Sequence, residues 1–507
     1  MKGFEDSRIR EVIQLRDKVY NSIKLFITPY LMEGALRCTK RLQDSLPRSA
    51  LDENKVLVAF GGGKDSAYMV AFVRLLQLLL FREYAKTFRI RIVTNRHSGM
   101  PFIVLENIDR IYRALGLYDD PDVELLLTDG DEVHSFDLNS PLSTEVRDRN
   151  RLDILMTGHR CEGEARPTFC NACNISMINS FSIATSYDGG VDVIVTGDSS
   201  KELRTYIAWV RQVASKLQLP VERDRSGFST FLGTMNEIAH FYFKDIYSER
   251  MEKELNSRHL QIDTVIREPF FFSIYYDTGY RAGDHWDLLT KFLNFQFDEF
   301  AFSFTESDCA NPGLMAHLRG LKAEHMYSRT YGDGIAEYVN FAIDLMRKKD
   351  FPKQLIEVME ARYSTSKAVQ LMRDKMDRYA KETFDLSEAQ LVCMLYSPFA
   401  QRGKNLERYL LREQPQLWRY LENIHYLLAH SDNHVEEQGI IENELMSITH
   451  LDLEQLQIIY AMDLSLSKSG TRAIPIDLIL SKDPHKALIK TAHSSGGPLV
   501  SEVLSGR

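Results

Sequence analysis

The chain has 507 residues, a formal net charge of −9, 44% hydrophobic residues and 26% charged residues. At roughly 150 residues per domain, this length predicts two to four domains, and the ordinary composition excludes fibrous and disordered proteins. The richest apolar stretch, residues 67–81, is interrupted by Arg74 and Gln77 and is shorter than the ~20 residues that a bilayer requires. We therefore expect no membrane partner.

Cysteine usage and charge limit the compartment and the partners. Six cysteines in so long a chain do not make a disulfide scaffold, and the N-terminus lacks the apolar core of a secretory signal. We therefore expect a cytoplasmic protein. The acidic balance argues against binding to a phosphate backbone, which makes tRNA a less favoured partner.

The first predicted elements are helices, because apolar residues recur at helical spacing from residue 8 to about residue 46. From residue 54, short apolar runs alternate with longer helical segments, which predicts a parallel sheet covered by helices. The predicted strands and helices are strands 55–60, 88–94, 123–128 and 191–196, and helices 65–81, 102–115, 143–156, 174–187 and 201–217.

Beyond residue 219 the strand signal fades, apart from residues 270–276, and helical patterns dominate from 324 to about 464. The polar end of the chain, from residue 494, is predicted to fray. The expected fold is α/β, a doubly wound parallel sheet with N-terminal helices and a large helical C-terminal region. The predicted domains are an N-terminal helical segment 1–51, an α/β domain 52–220, a continuation of that region 221–320, and a mostly helical region 321–507. The last is interpreted as a substrate-binding or dimerisation lobe, which would make the protein a homodimer.

The most informative segment lies between the first strand and the first helix of the α/β domain. Three glycines, Gly61, Gly62 and Gly63, allow successive backbone N–H groups to point into one concavity, and the helix that follows adds its positive end. Such a loop holds an anion. A Walker loop would need glycine in place of Val58, and a dinucleotide-binding fingerprint would need glycine in place of Ser66.

The three residues after the glycines are of types that can bind a nucleoside triphosphate. Lys64 can neutralise a leaving pyrophosphate, Ser66 can donate a hydrogen bond to it, and Asp65 can hold Mg²⁺ between phosphate oxygens. The alternative is a glycine-rich turn without a ligand.

This loop resembles the phosphate loop of the PP-loop (N-type) ATP pyrophosphatase superfamily, whose signature is Ser-Gly-Gly-x-Asp-Ser after the first strand. The chain matches it at Gly62, Gly63, Asp65 and Ser66 and departs at Gly61, where the family has serine. The resemblance implies a HUP (adenine nucleotide α hydrolase-like) fold and ATP as cofactor. It also implies that ATP is cleaved between its α- and β-phosphates and that AMP is transferred to an oxygen of the acceptor. A nitrogen or sulfur nucleophile then displaces the AMP.

The resemblance implies two further nucleotide contacts. Val93 and Thr94, at the end of the second strand, fall where the family's adenine lies along the backbone. The fourth strand leads into Gly197, Asp198 and Lys201, where the family carries a second nucleotide loop, and these residues could meet Mg²⁺ and the α-phosphate. The alternative is that Asp198 or Ser199 caps the next helix, a role that is compatible with nucleotide binding.

A cysteine pair precedes the fourth strand. Cys170 and Cys173 are spaced to bind one ion, His159 and Cys161 lie just before them, and Cys309 follows the sheet domain. Three assignments remain open. One is a closed zinc site of Cys161, Cys170 and Cys173 with His159 or Cys309. The second is an iron–sulfur cluster on Cys170, Cys173 and Cys309, and the third is unligated thiols.

Two branches of the superfamily carry comparable cysteines. The tRNA thiolases have a CxxC in this interval and a third cysteine in the next region, as do Cys170, Cys173 and Cys309. In the N-acetyl sugar amidotransferases an acidic residue follows the glycine of the second nucleotide loop. The chain is similar, because Asp198 follows Gly197. That match favours nitrogen transfer to a small-molecule, sugar or peptide acceptor over sulfur transfer, and a non-catalytic ATP sensor is a third possibility. Because no glutaminase signature is evident, ammonia would come from a glutaminase partner or from solution.

Overall fold

The computed structural model describes residues 2–196, 200–219, 227–258, 267–278, 285–299, 311–348, 350–430, 437–465, 475–482 and 486–505. Its strands are β1 (Lys55–Ala59), β2 (Arg89–Arg96), β3 (Val123–Asp129), β4 (Glu132–Ser135), β5 (Val193–Val195), β6 (Phe270–Phe272), β7 (Lys486–Ala492) and β8 (Leu499–Ser505).

The helices alternate with these strands in the first half of the chain and dominate the second half. They are α1 (Lys2–Lys24), α2 (Pro29–Ser45), α3 (Lys64–Tyr84), α4 (Phe102–Ala114), α5 (Thr144–Gly158), α6 (Asn171–Ser186), α7 (Ser200–Lys216), α8 (Phe228–Tyr247), α9 (Glu252–Asn256), α10 (Tyr275–Thr278), α11 (Pro312–Leu321), α12 (Tyr331–Lys348), α13 (Lys353–Ala361), α14 (Ser366–Phe384), α15 (Glu388–Tyr396), α16 (Ala400–Gly403), α17 (Leu406–Glu413), α18 (Leu421–Ala429), α19 (Gln438–Thr449), α20 (Leu453–Ala461) and α21 (Pro475–Lys482). A short π-helical turn, Arg166–Cys170, leads directly into α6.

The central sheet has six strands in the order β4-β3-β2-β1-β5-β6, and all neighbours are parallel except β3 and β4. From β1 the chain builds outward through β2 and β3, then returns to place β5 on the other side of β1. Val58 in β1 therefore lies between Ile92 of β2 and Val195 of β5. At such a reversal of strand order, the crevice at the carboxyl ends of the strands is the usual ligand site.

Two hydrophobic cores flank the sheet, because successive side chains of a strand point to opposite faces. On one face, Val56 and Val58 pack with the N-terminal helices and with α3 and α4. On the other face, Leu57 belongs to a core that continues through α6 and α8 into the C-terminal helices and includes Ile489 of β7. The helical C-terminal region thus shares one continuous core with the sheet.

The predicted sequence of elements is confirmed, with small shifts at their ends. The four predicted strands are β1, β2, β3 and β5, the five helices between and after them are α3 to α7, and the N-terminal pattern forms α1 and α2. The antiparallel strand β4 was not predicted, since its Glu-Val-His-Ser sequence is too short and too exposed for an apolar pattern. The strand signal at 270–276 covers only β6, and its last residues begin α10.

The prediction of a frayed C-terminus is wrong. Residues 486–505 form an antiparallel hairpin of β7 and β8, with Gly496 in the turn at φ +69°. The carboxylate of Glu502 accepts hydrogen bonds from Arg319, from the Tyr327 hydroxyl at 3.0 Å and from His493 Nε2 at 2.7 Å. The contacts of Glu502 with Arg319 and Tyr327 attach the hairpin to the α11–α12 region. The segment has too few apolar residues for its packing to be predicted from its own sequence.

A buried ion cluster joins the first helix to the opposite, amino edge of the sheet. Arg16 Nη2 on α1 lies 2.6 Å from Asp120 Oδ1, and Arg74 Nη1 on α3 lies 2.9 Å from Asp120 Oδ2. Burial by itself raises the pKa of Asp120, but the hydrogen bond from Arg16 and the charges of Arg74 and Arg16 lower it to about 2. Asp120 is therefore ionised at neutral pH.

In the described part of the chain, no helix is both long enough and apolar enough to cross a membrane.

Candidate active site at the carboxyl edge of the sheet

The glycine loop occupies the turn from β1 to α3. The backbone N–H of Phe60 donates to the carbonyl of Val93 at 2.9 Å, so the loop starts in register with β2. Gly63 is the N-cap residue of α3, and no side chain caps that end of the helix. Because the first N–H groups of a helix have no partner within it, this N-terminus can receive an anion.

Gly62 is required by the local geometry. Its φ of +76° lies in the left-handed region, which side chains disfavour. A Cβ atom added there would lie 2.4 Å from Cγ1 of Val104 on α4. The loop is thus pressed against α4, and only glycine fits at this position without a shift of the helix.

Lys64 and Asp65 form a close pair at the start of α3. Lys64 Nζ lies 2.6 Å from Asp65 Oδ1, and the lysine is 8% exposed. The Asp65 side chain is 39% exposed, so its carboxylate remains accessible from the edge of the sheet. The hydroxyl of Ser66 donates to the Gly63 carbonyl at 3.0 Å. The three predicted side chains therefore stand together at the helix N-terminus, where a phosphate would compete with Asp65 for the lysine.

A ladder of hydroxyl groups joins the carboxyl ends of three strands. Thr94 Oγ1 in β2 donates to the Phe60 carbonyl after β1 at 2.9 Å, and Thr128 Oγ1 in β3 lies 3.3 Å from the Thr94 carbonyl. Val93 and Thr94 both have buried side chains, and their carbonyls already accept these hydrogen bonds. The predicted adenine segment thus lies directly beside the glycine loop.

The cysteine pair lies beyond the same edge. Near its C-terminus, α6 accepts a hydrogen bond from Arg91 at the Ala184 carbonyl, at 3.0 Å, whereas Ser180 lies beside Asn95 at the end of β2. The helix therefore runs antiparallel to the strands. Cys173 precedes Ser180 by seven residues, roughly 10 Å at 1.5 Å per residue, which places the start of α6 above the carboxyl edge.

Cys170 is 2% exposed at this helix start, and Cys173 is partly exposed. The other predicted metal ligands are buried against the C-terminal helices. The His159 ring lies 5.9 Å from the ring of Phe399, and burial lowers the pKa of His159 to about 3, so its imidazole is neutral. Cys161 Sγ accepts a hydrogen bond from Ser465 Oγ at 3.2 Å.

Among the described residues, no three His, Cys, Asp or Glu side chains are close enough to hold one ion. Cys309 lies outside the described residues. The described part of the chain therefore does not complete the ligand set of the expected zinc site or iron–sulfur cluster. It does include Cys170 and Cys173, which are separated by two residues.

The second nucleotide loop falls largely outside the described residues, which include neither Gly197 nor Asp198. Lys201 belongs to α7, and only its backbone is described. β5 ends at Val195, the partner of Val58 in β1. The chain therefore leaves β5 directly beside the glycine loop.

Residues of the C-terminal region cover the carboxyl edge. The Tyr379 hydroxyl on α14 donates to the Gly99 carbonyl after β2 at 2.8 Å, and the Phe351 ring centroid lies 5.9 Å from Lys64 Nζ. Neither residue carries a sequence signal for this place, because Tyr379 lies in an ordinary helical pattern and Phe351 lies in the connection between α12 and α13. The candidate site is the space between the sheet edge and these helices.

No protein-family model, curated protein or solved structure matches this chain.

Proposed function

We propose that the protein is an ATP-dependent PP-loop enzyme that adenylates an acceptor oxygen and then transfers nitrogen to the activated carbon. The observation that carries this proposal is the glycine loop at the reversal of strand order, with Lys64 and Asp65 at the N-terminus of α3. We also infer that the sheet is of the HUP type. Its parallel order and the position of the loop after β1 support that assignment.

In the proposed reaction the loop amides and the end of α3 bind the β- and γ-phosphates. A carbonyl or carboxylate oxygen of the acceptor attacks the α-phosphorus, and the bond to the β-phosphate oxygen breaks. Lys64 neutralises the charge that develops on pyrophosphate, and Ser66 donates a hydrogen bond to it. Ammonia then attacks the acceptor carbon, loses a proton and displaces AMP.

Asp65 is the residue proposed to hold Mg²⁺. Its carboxylate is 39% exposed and stands at the N-terminus of α3, directly after the glycine loop. When bound, Mg²⁺ neutralises charge on the phosphate oxygens. Lys64, released from Asp65, would then be available to the leaving group.

Sulfur transfer is the second candidate, and the partly exposed Cys173 above the sheet edge favours it. A sulfane-sulfur donor, such as the persulfide of another protein, would first transfer its outer sulfur to Cys173. The resulting Cys173 persulfide would attack the adenylated carbon with its outer sulfur and displace AMP. The thiolate of Cys170 would then attack the inner sulfur, releasing the thiolated acceptor and leaving a disulfide, which a cellular thiol reductant would have to reduce. Because the metal ligand set is incomplete in the described residues, no step is assigned to zinc or to a cluster.

The acceptor is proposed to be a small molecule, a sugar or a peptide that binds between the sheet edge and the C-terminal helices. A glutaminase partner would supply ammonia. Tyr379 and Phe351 of the C-terminal region make contacts at this edge, which supports a small acceptor rather than a large folded nucleic acid.

The decisive experiment incubates the protein with ATP, Mg²⁺, ammonium and candidate acceptors and identifies the products. AMP and pyrophosphate in equal amounts are expected. ADP and orthophosphate would overturn the proposal. Tight ATP binding with no products for any acceptor would favour the non-catalytic sensor instead.

A further inference from the structure

The carboxylate of Glu502, on the C-terminal hairpin of β7 and β8, lies in a buried group of charged side chains. It accepts hydrogen bonds from Arg319 on α11 and from the Tyr327 hydroxyl. Burial by itself raises the pKa of Glu502, but the charges of Lys322 and Arg319 lower it to about 2. Glu502 therefore carries its negative charge into this group at neutral pH.

The same group includes the segment that leads into the cysteine-bearing helix α6. Lys322 Nζ lies 2.5 Å from Glu164 Oε1, and Arg319 Nη1 lies 4.0 Å from the same oxygen. The backbone N–H of Glu164 donates to the Cys161 carbonyl at 3.0 Å, and the Glu164 carbonyl accepts from the Thr168 N–H at 3.1 Å. The Glu164 side chain thus anchors the backbone turn that precedes α6.

The charges of the group balance only while the hairpin is in place. Three cations face three carboxylates, and these six residues are Arg319, Lys322, Arg329, Glu164, Glu337 and Glu502. Arg319 and Lys322 are each 6% exposed, and a buried charge without a partner is unfavourable. If Glu502 left, Arg319 would need another carboxylate, and Glu164 Oε1 is already 4.0 Å away.

The hairpin is held by few apolar contacts. A two-stranded hairpin is at best marginally stable on its own. Among the side chains of β7 and β8 whose burial is described, only Ile489, Thr491 and Ala492 are buried. Its other attachments are a hydrogen bond from Arg329 to the Ala492 carbonyl at 2.9 Å and the stacking of His493 on Tyr327. An element docked in this way belongs to the part of a fold that opens first.

We propose that the C-terminal hairpin is a releasable strap that controls the turn before α6. While the hairpin is docked, Glu502 neutralises Arg319, and Glu164 pairs with Lys322. When the hairpin leaves, Arg319 competes with Lys322 for Glu164, and the turn that leads to Cys170 loosens. An event at the C-terminal end of the chain thereby reaches the cysteine-bearing helix. This inference is independent of the proposed ATP chemistry.

The test measures amide hydrogen exchange of the full-length protein by mass spectrometry, without any ligand. E502Q keeps the size of the side chain but removes its charge. Exchange should become roughly tenfold faster in the hairpin and in residues 161–170, the scale expected when a hydrogen bond to a charged group is lost. The amides of β2 should exchange as in the wild type, which shows that the sheet is folded. E357Q, which neutralises an exposed partner of Lys353, is the control and should change neither segment.

Two more variants separate coupling from a local role. Because coupling between two sites is reciprocal, E164Q should also accelerate exchange in the hairpin, which a purely local role of Glu164 would leave unchanged. H493A removes one donor to Glu502 without changing the buried charges, and it should move both segments in the same direction by a smaller factor. This variant decides the question if E502Q does not fold.

Three results would overturn the inference. The first is wild-type exchange in residues 161–170 while the hairpin opens in E502Q or H493A. The second is a hairpin that responds to neither variant, and the third is a hairpin that does not respond to E164Q. Since no nucleotide is present, each result leaves the proposed function to its own test.

Discussion

Lys64, at the start of the helix that follows the glycine loop, has its ammonium group 5.9 Å from the ring centroid of Phe351, just before α13. Phe351 in turn packs on Trp286, with ring centroids 5.2 Å apart. The candidate phosphate site and the helical C-terminal region therefore meet at one cationic side chain. This contact encloses the lysine, which strengthens its interaction with a bound phosphate because water is excluded.

Replacing either charged residue of the pair should stop the reaction. We expect K64A and D65A each to lower the rate of pyrophosphate release by about 100-fold or more, the usual effect of removing one group that stabilises transition-state charge. The assay follows pyrophosphate with a saturating acceptor, and circular dichroism checks folding. K86A is the matched control, because Lys86 is an exposed lysine paired with Asp52. A wild-type rate of pyrophosphate release in K64A would contradict the proposed role of the loop in binding the leaving pyrophosphate.

The glycine loop can be tested by adding one methyl group. G62A should lose ATP affinity and should destabilise the fold by roughly 2–4 kcal/mol, because it combines a left-handed backbone with a Cβ that meets Val104. G189A is the control. Gly189 has a similar φ of +79°, but nothing lies within 4 Å of its added Cβ. G189A should cost only about 1–2 kcal/mol and should bind ATP as the wild type does. Denaturant unfolding and calorimetry measure the two effects, and equal ATP affinity in the two variants would contradict the prediction.

The ion cluster at the opposite edge should make stability depend on pH. The pKa of Asp120 is lowered to about 2, so its stabilising effect is complete above its unfolded pKa near 3.9 and is lost as the pH falls through the folded value. This effect is worth about 2–3 kcal/mol. D120N should remove that part of the pH dependence and should destabilise the protein by roughly 3–5 kcal/mol at neutral pH. Arg74 then remains buried without its carboxylate partner, and Arg16 keeps only its contact with Asp122.

The pH prediction is checked by urea unfolding of both proteins between pH 2 and pH 7, at about one-unit steps. The control is D52N, whose parent residue is an exposed partner of Lys86. It should follow the wild-type curve. A D120N protein that unfolds in parallel with the wild type across this range would show that the cluster does not carry the dependence.

The cysteine pair should decide between nitrogen and sulfur transfer. If the protein binds a metal there, C170S should lower the metal content measured by elemental analysis, whereas C38S, which alters a buried cysteine of α2, should not. A brown protein with visible iron–sulfur absorbance would favour sulfur transfer. A colourless protein that holds zinc would favour nitrogen transfer. Unchanged metal content in C170S would exclude Cys170 as a ligand.

Local sequence determined the order and type of most elements. Runs such as KVLVA and RIRIV, followed by helical periodicity, identify strands and helices because each segment must bury its own apolar side chains. The glycine loop could also be predicted from the sequence, because three consecutive glycines between a strand and a helix are typical of a turn whose backbone amides face an anion. The strand β4 and the C-terminal hairpin could not be predicted from the sequence. Their conformation depends on contacts with distant parts of the chain rather than on the pattern of their own few, exposed residues.

Only the tertiary structure decided which distant residues meet. The direction of α6 places Cys173 above the sheet edge and Ser180 against Asn95, and the path of the C-terminal helices brings Phe351 to Lys64. A periodic pattern shows that a helix has a buried face but not which surface covers it. That choice depends on how two hydrophobic cores form around one sheet, and so the chemistry at the edge of that sheet follows from the route of the whole chain.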